Sequence, residues 1–116
     1  MLGDDRSLND LLAARADAMN RFREAVAHVS VEQWRQETRL PGWTVADVVA
    51  HVVGLEAAQL GRLDPPHEPD WNALPHVVDD FARTTERPVD LRRARAQSAV
   101  LAEFDEVIPA RGAQLS

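Results

Sequence analysis

A chain of 116 residues has room for one domain and one core. It contains no cysteine, which excludes disulfides, thiolate metal sites and a cysteine nucleophile, so any thiol chemistry must use a thiol that a cofactor brings. Its net charge of −6, with 19 carboxylates against 13 basic residues, argues against a nucleic-acid surface. The start, Met1-Leu2-Gly3-Asp4-Asp5, is too acidic and polar for a signal peptide. No apolar run approaches the ~20 residues that span a bilayer. The expectation is a cytoplasmic protein without membrane or nucleic-acid partners.

Periodicity predicts an all-α fold. Over residues 7–29, Leu8, Leu11, Leu12, Met19, Phe22, Val26 and Val29 fall on one stripe at spacings of three and four. Arg15 lies inside that stripe, as a side chain with its stem on the core would. Ser30 and Gln33 form a capping box for a short helical turn ending near Trp34. Leu40-Pro41-Gly42-Trp43 reads as a turn. Thr44 caps the next helix, with Asp47 completing the box. That helix, 44–60, is apolar or small nearly all round, which marks a central position.

The prolines of residues 61–70 make that stretch a loop. A third helix is expected over 73–86, with Pro75 in its first turn and Pro88 ending it. A fourth is expected over 97–108, with Val100, Leu101, Phe104, Val107 and Ile108 on one stripe. Pro109 and Gly112 then stop it, leaving 109–116 as a polar tail of a single domain 1–116. Arg92, Arg93 and Arg95 read as a solvated linker or a helix start, and Trp34, Trp43 and Trp71 as packing anchors beside turns.

The histidines are His28, His51, His67 and His76, and no two of them have metal-ligand spacing on a helix. His51 lies midway along the most apolar helix, four residues after Asp47, a spacing that lets a carboxylate support an imidazole. Taken alone it reads as a half-exposed surface histidine. Glu56 falls within the valine stripe, where a carboxylate must be paired or protonated. It marks either a possible pocket or a contact with an arginine such as Arg15.

The stretch Leu40-Pro41-Gly42-Trp43-Thr44-Val45-Ala46-Asp47-Val48-Val49-Ala50-His51 resembles the N-terminal domain of the mycothiol-dependent maleylpyruvate isomerases. These belong to the DinB-like superfamily. Asp70-Trp71, Asp80-Phe81, Glu86-Arg87 and Val100 to Phe104 add to the likeness, which covers most of residues 8–107. The resemblance implies a DinB-like up-and-down helical bundle. It also implies a divalent metal, zinc in first place, held by one histidine of the second long helix and a Glu/His pair from a later one. The cofactor would be mycothiol and the activity isomerisation or thiol transfer. His51 matches the first ligand, with Asp47 supporting it.

The later pair has no counterpart, and His67 and His76 match no ligand. The expectation is a bundle lacking its last core helix, with an incomplete or inactive site. Two functions follow. One is a thiol-dependent isomerase or transferase domain that takes a small-molecule thiol and a substrate. The other is a non-catalytic helical module that forms a homo-oligomer through an uncovered apolar face.

Overall fold

Side-chain caps set where three of the helices begin. Ser30 accepts from the Gln33 amide at 3.1 Å while the Gln33 side chain accepts from the Ser30 amide at 2.9 Å. Thr44 and Asp47 exchange the same pair at 3.3 and 3.0 Å, and Asp79 accepts from the Ala82 amide at 2.7 Å. Each cap satisfies an amide that has no partner in the first helical turn. The computed structural model describes the backbone of residues 5–116 and side chains from Ser7 onward. Its helices are α1 (Asp5–Ala27), α2 (Val31–Trp34), α3 (Val45–Gln59), α4 (Asp80–Arg93) and α5 (Gln97–Leu115). A single 3₁₀ turn covers Trp71–Ala73. The extended pairing among the described residues is an isolated bridge between Glu37 and Thr44.

Three prolines do not act as the sequence suggested. Pro88 sits inside α4 and does not end it. Its ring lies against Gly54 of α3, where an added Cβ would come within 2.8 Å of the Pro88 Cβ. A proline in a helix interior costs about 3 kcal/mol in isolation. Here the bare glycine lets α3 and α4 close around it, and packing offsets the lost backbone bond. Pro109 lies within α5 on an exposed position, where water can take the carbonyl bond it leaves open. Residues 109–115 are therefore helical and continue α5 to Leu115, while its buried side chains are Val100, Phe104, Val107 and Ile108. Pro75 lies in the loop before α4 and not in its first turn.

The core is made chiefly by α3 and α5. Val49, Val53 and Ala57 of α3 meet Val100, Phe104, Val107 and Ile108 of α5, with Val26 and Trp34 joining them. The Phe22 and Phe104 rings pack with centroids 5.9 Å apart. Only the C-terminal half of α1 reaches this core, through Met19, Phe22 and Val26. Leu8 and Leu11, farther up the same stripe, are 53% and 68% exposed. The radius of gyration of 15.7 Å exceeds the about 13 Å of an average fold this size, as expected when half a long helix extends beyond the bundle.

Candidate functional site

A network of buried and half-buried polar side chains lies where the turn before α3 meets α4. Gly42 has φ +79°, and a Cβ there would sit 2.2 Å from Nδ1 of His76. Both the backbone conformation and the seated imidazole require glycine. His76 Nε2 lies 2.6 Å from Oε1 of Glu86. The Trp43 indole donates to that same oxygen at 3.1 Å. Glu86 is only 1% exposed, and its other oxygen accepts from Arg93 at 2.8 Å.

Arg93 also donates to Oδ1 of Asp47 at 3.1 Å and bonds to Asp90. Asp90 in turn holds His67 at 2.7 Å. Burial works to lower the Arg93 pKa. The bonds to Glu86 and Asp47 outweigh it and hold the group above its ordinary value, so it is a permanent cation. A second hub lies beside it. Arg92 is buried and makes paired bonds at 2.9 Å to both oxygens of Asp64 and to both oxygens of Glu103. Its pKa is likewise raised: burial opposes the charge, and Glu103 and Asp64 overcome that opposition.

The arginine triplet is thus no solvated linker: Arg93 ties α4 to α3 through Asp47, and Arg92 and Arg95 tie the end of α4 to Glu103 of α5. The signal was present in the sequence. Glu86, Asp90 and Arg93 stand four and three residues apart, on one helical face. Taking Pro88 as a helix end cut that face in two and hid it.

Asp47 does not support His51. One of its oxygens accepts from the Thr44 amide and the other from Arg93. His51 is half-buried, and its ring packs against Trp43 with centroids 5.2 Å apart and planes tilted by 42°. It makes no hydrogen bond among the described residues, so packing alone orients it. Glu56 is held by Arg15 at 2.7 Å and by Arg111 at 3.1 Å. It clamps α1, α3 and α5 together, and the expected contact between Glu56 and Arg15 is present.

No three His, Asp or Glu side chains among the described residues are arranged to hold a metal ion. Glu86, Asp90 and Asp47 are committed to arginine or histidine, and His51 stands apart from them as a donor. These residues do not make up the three-ligand centre that a catalytic metal needs, and no chemical step is derived through one. No described helix is long and apolar enough to cross a membrane.

The profile of the mycothiol maleylpyruvate isomerase N-terminal domain matches residues 15–116. The chain belongs to that family. Its all-α, DinB-like bundle is the fold of the family, and the family's name links it to mycothiol. No curated protein and no solved structure matches the chain.

Proposed function

We infer that this domain serves a mycothiol-dependent isomerase or thiol transferase and contributes one metal ligand, His51, without forming a complete centre from its own described residues. The observation that carries this is the state of the imidazole. His51 is half-buried on the central helix, oriented by the Trp43 ring and committed to no hydrogen bond. Both of its nitrogens remain free to donate, accept or ligate. The remaining ligands, for which zinc is the expected ion, would come from outside the described residues. A small-molecule thiol, a substrate and a cytoplasmic setting belong to the same reading.

Isothermal titration of zinc into the wild-type chain and into His51→Ala tests this reading. Weak binding by the wild type that disappears in the variant is expected. Identical curves would remove His51 from the site. Tight one-to-one binding by a monomer would mean that ligands within these residues rearrange to meet the ion.

A second reading is favoured by Leu8 and Leu11, whose exposure leaves the upper stripe of α1 uncovered. That stripe suits self-association in a non-catalytic helical module. Light scattering at micromolar concentration separates the possibilities: a dimer supports it, and a monomer that persists on concentration rejects it.

A further inference from the structure

A cleft opens where α2, the start of α3, the end of α4 and the start of α5 converge. Its volume is about 520 Å³, and Trp34, Val31 and Ala46 supply apolar wall. Arg35, Arg93 and Arg95 also line it. We propose that this cleft binds a small molecule with an oxyanion group, carboxylate or phosphate, on an apolar body.

Three observations support this. First, Arg35 makes no ion pair and no side-chain hydrogen bond among the described residues, where most arginines are matched to carboxylates. Second, each guanidinium carries five N–H donors. Arg93 gives one each to Asp47, Asp90 and Glu86, and Arg95 gives one to Glu103. Donors remain on all three arginines. Third, the acidic group in the wall is already neutralised, because Asp47 is bonded by Arg93 and by the Thr44 amide. An incoming anion therefore meets an unpaired cation and partly used guanidiniums, with no free carboxylate in the wall.

The start of α5 adds a weaker contribution of the same sign. Ala96 stands at its N-cap with no side-chain cap bond, and it lines the cleft together with Gln97. The apolar wall distinguishes an organic ligand from a bare inorganic ion. Trp34 lines the cleft with Val31 and Ala46, and an aromatic or aliphatic body laid against this wall loses contact with water. The site is independent of His51, which does not line it.

The test uses the whole chain labelled with nitrogen-15, at constant ionic strength. Benzoate, phenyl phosphate and neutral benzamide are titrated while the Arg35 side-chain signal and the Gln97 and Ser98 amides are followed. Saturable shifts with benzoate or phenyl phosphate are expected, and the tighter of the two identifies the preferred oxyanion. Benzamide should cause none. Arg35→Gln should weaken binding about tenfold or more, since it removes a charge-assisted contact. Arg39→Gln should leave binding unchanged, because Arg39 is exposed, unpaired and outside the cleft. Circular dichroism of both variants checks that they fold alike. Equal binding of benzamide, equal loss in both variants, no loss in Arg35→Gln, or no saturable shift with either anion would each overturn the proposal.

Discussion

Helix α3 is held on its two sides by different physics. Towards α5 it presents Val49, Val53 and Ala57, which pack on valine, phenylalanine and isoleucine, with the Glu56–Arg111 pair confined to the C-terminal end of the contact. Towards α4 it presents Asp47 and Gly54, which meet Arg93, Pro88 and Arg92. The first side is non-directional and tolerates small shifts. The second is a set of fixed bonds that sets the register of α4 against α3 and of the long loop against α4. Asp64, His67 and His76 are loop residues, and each is tied to an α4 side chain. The apolar side supplies most of the stability, and the polar side decides which arrangement is stable.

Two truncations probe this difference. Phe104→Ala removes the ring that fills the space between α5 and Phe22, and should cost about 3–5 kcal/mol. Urea unfolding measures it, and a loss below 1 kcal/mol would mean that the core collapses to fill the hole. Arg92→Ala deletes a buried cation and strands two carboxylates. It should cost about 3 kcal/mol, the low end for a broken buried pair, because Asp64 and Glu103 keep partial access to water. The two also differ in kind. Arg92→Ala should raise amide exchange in the loop around Asp64, while Phe104→Ala should leave that loop protected until global unfolding.

Gly54→Ala tests the close approach of α3 and α4. Alanine gains about 1 kcal/mol of helix propensity over glycine. Its Cβ must displace Pro88, which lies 2.8 Å away, and overpacking of this kind costs about 1–3 kcal/mol. A net loss of about 1 kcal/mol is expected from the difference of those two effects. A stabilised variant would show that α4 shifts freely and that the register is not fixed at Pro88.

The sequence was legible where local rules and tertiary structure agree. The capping boxes at Ser30 and Thr44 gave two helix starts directly. The stripes of α3 and α5 gave the core, since burial imposes a helical period on apolar residues. The Pro-Gly turn before α3 carried the family resemblance, and the family match confirms it. What stayed hidden depends on pairings between residues distant in the chain. Nothing in the 61–79 stretch reveals that Asp64 will meet Arg92, or that His76 will seat on Gly42. Proline rules also failed for a physical reason. They describe an isolated helix, whereas Pro88 is offset by a glycine 34 positions earlier, on the neighbouring helix. The Asp47–His51 spacing allowed a contact, but a carboxylate takes the strongest donors in reach, and Arg93 with the Thr44 amide outbid the imidazole.

The smallest expected effect lies on the outer side of the α1–α5 contact, where Arg23 makes a two-pronged pair with Asp105 at 2.7 and 3.0 Å. The hydrogen bond from Arg23 holds the Asp105 carboxyl below its ordinary value of 3.8, against a small opposing effect of burial. A carboxylate whose pKa is depressed on folding stabilises the fold above the unfolded value, and that contribution is lost as pH falls through the folded value. Asp105→Asn should therefore be less stable than wild type near neutral pH and equal to it in acid, once both carry an uncharged group at 105. Asp105 is more than half exposed, so solvent screening limits the neutral-pH difference to at most about 1 kcal/mol. High salt should shrink it further. Denaturant melts of both proteins across this pH range, at low and high salt, measure the difference directly. A gap that persists unchanged in acid would assign the loss to altered packing of α1 on α5 and not to charge.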